Sequence, residues 1–200
     1  MNKGRIEAFT DAVIAIIMTI MVLEFKAPES LKFSAIYSQL PYLVSYFVSA
    51  LFIATSWYNH HYMFTKTKVV TKGIFWTNNL WMFGTSLLPV ATAWVSRGLN
   101  ARGPQIFYTI AYVVWTASYV YLTQTIVRAN ERANHPEVAA AIRAMPVTAY
   151  FTKWPLLIIQ VIAQVLALIF MPVVNLIIVC ALIVWVAFHT SPDSDKIFNE

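Results

Sequence analysis

The sequence predicts an all-α, polytopic membrane protein with six transmembrane helices per chain. Three observations predict it. Of the 200 residues, 59% are hydrophobic and only 12% are charged, with a mean hydropathy of +0.63. A soluble domain carries about twice that share of charge, and a chain this short leaves too much of its surface exposed to hide so much apolar material in a globule. The apolar residues also gather into six runs, each near the ~20 residues that a helix needs to cross a hydrocarbon core. Finally, seven Trp and ten Tyr suit the membrane–water boundary, where an apolar ring body and a polar edge are both satisfied.

The runs fall at residues 5–23, 41–64, 74–95, 104–127, 155–171 and 173–188, within a single domain over 1–200. The first follows Lys3 and Arg5, as a signal peptide would. Glu7 and Asp11 interrupt it, however, and Glu24-Phe25-Lys26-Ala27-Pro28 stands where a small-residue cleavage site would be, so an uncleaved first span is expected. The last two runs meet at Pro172, which cannot donate a backbone hydrogen bond, and Asn175 follows; a tight hairpin is expected there. The Ala-rich stretch 136–145 predicts a short surface helix.

Charge sets the orientation. Ten of the fourteen Lys and Arg residues fall on one side of the predicted topology: Lys3, Arg5, Lys66, Lys68, Lys72, Arg128, Arg132, Arg143, Lys153 and Lys196. Lys26, Lys32, Arg97 and Arg102 fall on the other. This bias predicts a multi-pass protein of the cell membrane with both termini in the cytoplasm. The net charge of +5 is therefore a topology signal, and no clustered basic face suggests nucleic acid. Cys180, the one cysteine, excludes an intrachain disulfide.

The first span carries the chemistry. Arg5, Glu7 and Asp11 lie in or beside it. Ionisable groups at membrane depth are costly, and they face protein or water and serve a function. Glu7 reads as an interfacial residue; Asp11 lies more than a turn deeper. At about 100° per residue, positions seven apart nearly eclipse, so Phe9, Ile16 and Leu23 share a stripe flanked by Thr19 and Ile20. Asp11 falls roughly opposite and is expected to be buried and paired against helices behind the stripe. Trp57, Asn59, His60 and His61 in the second span, and Asn78 and Asn79 in the third, reach the same depth and are its candidate partners.

Arg5-x-x-x-Phe9-Thr10-Asp11 resembles the R-x-x-x-F-S-D signature of the transmembrane protein 175 family, lysosomal and prokaryotic potassium-permeable channels. Trp57-x-x-His60 and the paired asparagines strengthen the resemblance, and Thr10 keeps the hydroxyl of the usual serine. The resemblance implies a homotetramer whose first helices line the pore. It implies an aliphatic constriction at Ile16 in place of a carbonyl filter, with Thr19, Ile20 and Leu23 lining the next turns outward. It places Arg5, Phe9, Thr10, Asp11, Trp57, His60, Asn78 and Asn79 in a network behind the pore helix. The expected activity is potassium permeation with modest preference over sodium, gated by wetting of the constriction. Glu24 at the outer mouth would either attract cations by its field or pair with Lys26. Monovalent cations, the bilayer and further copies of the chain are the implied partners, with no cofactor.

Other readings compete. Asp11 with His60 and His61 could relay protons in a coupled transporter, although no paired broken helices of the transporter kind are evident. A metalloenzyme would have to use His60, His61, His135 and His189. Adjacent His60 and His61 point about 100° apart on a helix, and no H-E-x-x-H is present, so neither a metal site nor an enzyme is expected. A structural scaffold is a third reading, against which the charge cluster argues.

Overall fold

The computed structural model describes residues 2–190; Lys196, used above for orientation, lies outside the described residues. The chain is helical in this order: α1 (Lys3–Leu23), a 3₁₀ segment (Phe33–Gln39), α2 (Leu40–Lys66), α3 (Lys72–Ser86), α4 (Leu88–Val95), α5 (Arg102–Arg132), α6 (Pro136–Ala144), α7 (Pro146–Thr152), α8 (Trp154–Phe170) and α9 (Val173–Phe188). No strand occurs among the described residues.

Local chemistry sets the boundaries. Asn2 caps α1 by accepting from the Gly4 amide at 2.9 Å, and Thr71 caps α3 by accepting from Ile74 at 3.2 Å. Proline stands in the first turn of α2, α4, α6, α7 and α8, where its missing N–H costs nothing. The 74–95 run is not one helix. Pro89 cannot donate to the carbonyl of Thr85, and the helix breaks at Leu87 between α3 and α4. At Pro172 the chain turns as expected, and α8 and α9 pack on each other. The 136–145 stretch is helical as α6, but its apolar face is buried, through Val138, Ala139 and Ile142, and it packs on α5 and α2.

Side-chain contacts show which helix ends meet. Lys3 Nζ donates to the carbonyls of Thr65 at 3.1 Å and Thr67 at 3.3 Å, so the start of α1 lies against the end of α2. Tyr42 donates to the Met21 carbonyl, joining the opposite ends of the same pair. Helix α5 runs parallel to α2, since Tyr108 meets Ser49 at 3.1 Å and Thr123 meets Met63 at 3.3 Å. Arg102 donates to the Ile169 carbonyl at 2.7 Å, and Asn100 accepts from the Val173 amide at 3.2 Å. The α8–α9 turn therefore shares an end with the α4–α5 connection. Lys3, Lys66, Lys68, Lys72 and Arg132 gather at one end of the bundle, and Lys26, Arg97 and Arg102 at the other.

Helix α8 turns an apolar face outward. The buried residues of α8 are Gln164 and Ala167, while Ile158, Ile159, Val161, Ile162, Val165, Leu166 and Ile169 are exposed. Lipid solvates such a face, and the polar side chain turns inward. α1, the stretch Phe33–Lys66 and α5 are each long and apolar enough to cross a bilayer; α7 and α8 meet that test together across an 83° bend, and α9 is shorter.

Helix α3 packs against α5. A Cβ on Gly84 would stand 3.0 Å from Ser118 Oγ and 3.2 Å from the Trp115 Cα, so only glycine allows this approach. Gly84→Leu is expected to destabilise the protein by about 1–3 kcal/mol, as overpacking does, measured by thermal unfolding in detergent. Gly103→Ala, whose added carbon meets nothing nearer than 3.8 Å, should leave the midpoint unchanged.

Candidate functional site

Helix α1 has two faces of different kind. Ile6, Thr10, Ile14, Ile17 and Met21 recur every three or four residues and form its buried stripe. The opposite face is uncovered. Ile16 is 56% exposed and Leu23 81%, and Phe9, Thr19 and Ile20 are exposed with them. Phe9, Ile16, Thr19, Ile20 and Leu23 therefore lie on one face of α1, and no other helix among the described residues covers it.

What holds the buried face is a chain of hydrogen bonds through three helices. Thr10 donates its one hydroxyl proton to the Ile6 carbonyl at 2.8 Å, so towards Asn78 it can only accept. Asn78 Nδ2 supplies that donor at 2.7 Å. This fixes the amide orientation, and Asn78 Oδ1 is left to accept from His60 Nε2 at 2.7 Å. The order of donors assigns His60 its Nε2–H proton. Thr10 and Asn78 are fully buried and His60 nearly so. The imidazole is clamped between Phe64 and Trp81, at 4.3 and 4.6 Å between ring centres. Three polar groups are thereby satisfied inside the bundle, where each unmade bond would cost about 1–3 kcal/mol.

Asp11 and Trp57 form a second, shallower tie. Trp57 Nε1 donates to Asp11 Oδ1 at 2.7 Å, and His61 stacks on the Trp57 ring at 5.5 Å. Asp11 is paired as expected, but it is exposed in the chain, at the edge of the open face and not beneath it. Asp11 and His60 are not bonded to each other: the acid takes the tryptophan and the imidazole takes Asn78. The acid–imidazole relay considered from sequence is not assembled. Asn79 turns away and donates to the Phe75 carbonyl of its own helix at 2.8 Å. Arg5 is exposed and makes no side-chain hydrogen bond or ion pair among the described residues. Glu24 ends α1, and the ion pairs found among the described residues do not include one with Lys26. No group of three or more His, Cys, Asp or Glu residues among those described could hold a metal ion.

Sequence reasoning missed the tie at the other end of α1. Thr92 Oγ1 lies 2.7 Å from Ser49 Oγ and 3.9 Å from Met21 Sδ on α1, Ser49 meets Tyr108, and Tyr42 donates to the Met21 carbonyl. Hydroxyls in apolar spans are common, and nothing in their spacing marks these as partners. Together the two ties hold the inward face of α1 at both ends.

The chain is similar to proteins of one family. A family model described as endosomal/lysosomal potassium channel TMEM175 matches residues 5–89, the segment that carries both ties to α1 apart from Thr92 and Tyr108. A Chryseobacterium sp. protein named as a potassium channel is 39% identical over 128 residues, 64% of this chain and 67% of that one. A protein of the same name class from Streptomyces collinus is 33% identical over 50% of each chain. A third, from Chamaesiphon minutus, is 33% identical over 46% of this chain and 48% of that one. The matches to these last two span about half their length. Among solved structures, a lysosomal potassium-selective channel TMEM175 homolog from Chamaesiphon minutus has the same fold, with a TM-score of 0.68 and 22% identity over 93% of this chain and 96% of that one.

Asn78→Leu is expected to cost about 2–4 kcal/mol, because it strands both Thr10 and His60 in the bundle. Trp57→Phe, at a more exposed pair, should cost less than about 1 kcal/mol. A double-mutant cycle of Thr10→Val with Asn78→Leu should give a coupling of roughly 0.6–1.7 kcal/mol, measured by denaturation in mixed micelles.

Proposed function

The chain belongs to the TMEM175 family, and we propose that it conducts potassium through a pore lined by α1 in a homotetramer. The observation that carries this reading is the uncovered face of α1. A helix held on one face by a buried hydrogen-bond chain, and bare on the other, is a helix prepared to meet copies of itself. Lipid could cover plain aliphatics, but this face also presents the Thr19 hydroxyl, and Arg5 and Asp11 lie exposed at its inner end with Glu24 at its outer end. Charged groups at both mouths of an apolar lane favour water and ions over acyl chains. Ala8, Ala12 and Ala15 are exposed beside the lane and permit close approach of neighbouring helices.

In this reading six helical passes cross the cell membrane, with the third built from α3 and α4 and the fifth from α8 after the α7 bend. The Lys-rich end is cytoplasmic. Four Ile16 side chains meet at the axis. When they close, the gap dewets and stops ions; a small dilation wets it and lets them pass. Aliphatic groups cannot replace a hydration shell, so preference for potassium over sodium is modest and follows from dehydration cost. In this chain Thr19 Oγ1 bonds the Ile16 carbonyl at 2.9 Å, which leaves its lone pairs available towards the axis. Glu24, repeated four times, concentrates cations at the outer mouth. Permeation of this kind needs no cofactor and no catalytic residue.

Potassium flux into liposomes, with single-channel recording, tests the reading on Ile16→Asn beside the natural chain. The variant should conduct more or discriminate less between potassium and sodium. Current indifferent to Ile16 would discard this constriction. Absent flux from a folded tetramer would return the choice to a transporter or a scaffold.

A further inference from the structure

A polar hollow lies at the end of the bundle away from the Lys-rich end. It has room of about 210 Å³, far above the ~10–15 Å³ that admits one water. Three chain segments line it. Glu24 and Lys26 follow α1, Ser38 and Gln39 end the 3₁₀ segment, and Ser96 and Arg97 follow α4. Glu24, Lys26 and Arg97 are exposed, so a dissolved molecule can reach them. Charges of both signs therefore line one space, yet the ion pairs found among the described residues include none of the three. Opposite charges that share a hollow without pairing leave room for an occupant between them.

The direction of the hydrogen bonds narrows the occupant. Ser38 Oγ donates to the Ala35 carbonyl at 2.7 Å, and Ser96 Oγ to the Ala93 carbonyl at 2.8 Å. Tyr42, which also lines the hollow, donates to the Met21 carbonyl. Each hydroxyl has one proton, and each proton is committed within the chain. Towards the hollow these oxygens can only accept, as an ionised Glu24 can. Lys26 and Arg97 can only donate. A plain anion would meet the two cations but give the acceptors no proton. A plain cation would meet the acceptors but face two like charges. A molecule that carries an ammonium and an oxyanion satisfies both sets. Two cations set against one carboxylate suit a phosphate ester, which bears between one and two negative charges near neutral pH.

We propose that this hollow binds a small amine phosphate of the phosphoethanolamine type. Lys26 and Arg97 hold the phosphate through charge-assisted hydrogen bonds. Glu24 and the Ser38 and Ser96 oxygens hold the ammonium. The same chemistry exists free in solution and as the headgroup of an ethanolamine phospholipid. A bound molecule ties the end of α1 to the 3₁₀ segment and to the end of α4, three segments that the hollow otherwise separates. The site requires neither a pore nor a tetramer, so it stands apart from the potassium reading.

Isothermal titration calorimetry of the full chain in detergent micelles tests the site, with phosphoethanolamine and inorganic phosphate as probes. Phosphoethanolamine should bind about five-fold more tightly than phosphate, the scale of one exposed charge pair. Lys26→Gln and Arg97→Gln should each weaken it by about five-fold. Glu24→Gln should erase the preference for phosphoethanolamine over phosphate. All three residues are exposed, so these variants should keep the fold, which an unchanged unfolding midpoint checks. Lys72→Gln, at the opposite end of the bundle, should bind as the natural chain does. A second titration, on the chain in vesicles, separates the two sources. Binding that survives in phosphatidylcholine vesicles and disappears in phosphatidylethanolamine vesicles assigns the site to the lipid headgroup. Binding that survives in both assigns it to the free molecule. Undetectable binding in micelles, loss in both kinds of vesicle, equal binding of the two probes by the natural chain, or binding indifferent to all three substitutions overturns the site.

Discussion

The structure depends on the need to satisfy polar groups where no water can reach them. Thr10, Asn78 and His60 sit at membrane depth on three different helices, and each is buried. In that setting a hydrogen bond is not an embellishment of packing; its absence would leave a stranded donor or acceptor that the bilayer cannot solvate. The order of donors runs in one direction only, from His60 through Asn78 and Thr10 to the Ile6 carbonyl. Losing any member strands its neighbour. The chain of bonds therefore sets the rotation of α1 about its own axis, and that rotation decides which residues are turned away from the bundle.

The rest of the architecture follows the same solvent logic. α8 exposes branched aliphatics, and on its inner side Gln160 bonds Tyr112 and Tyr150. α9 behaves likewise, with Asn175 buried against Gln105 and Thr109. Where α3 approaches α5, Gly84 supplies the space. Apolar exposure of this kind suits a lipid surround, and the exposed face of α1 combines aliphatics with the Thr19 hydroxyl and flanking charges.

Much of this was legible in the sequence. Apolar runs mark the helices because lipid demands length and hydropathy, and both are local properties. The eclipsing of Ile16 with Leu23 is likewise a matter of helical pitch. Of the motif at Arg5 to Asp11, the structure pairs Thr10 and Asp11 and leaves Arg5 and Phe9 exposed; partners depend on rotation between helices, which spacing does not specify. Asn78 and Asn79 are adjacent, and only their helix's orientation assigns one to the network and the other to its own backbone. For the same reason Asp11 was expected beneath the open face and lies at its edge. The break before Pro89 did have a local signal, a proline inside an apolar run, which the length of the run concealed. The 83° bend between α7 and α8 had none comparable, because Pro155 permits a helix start without dictating its direction.

The central claim is that the open face of α1 lines a water-filled path. Cysteine substitution in a Cys180→Ser background tests it most directly. Ile16→Cys, Thr19→Cys, Ile20→Cys and Leu23→Cys would each be exposed to a small thiol-reactive cation during potassium flux from liposomes, beside Ile162→Cys on the lipid-facing side of α8. The account predicts that modification alters flux at the α1 positions, graded from Leu23 inward to Ile16, and leaves Ile162→Cys unaffected. Flux unchanged by modification at all four α1 positions, with labelling confirmed by mass, would contradict it.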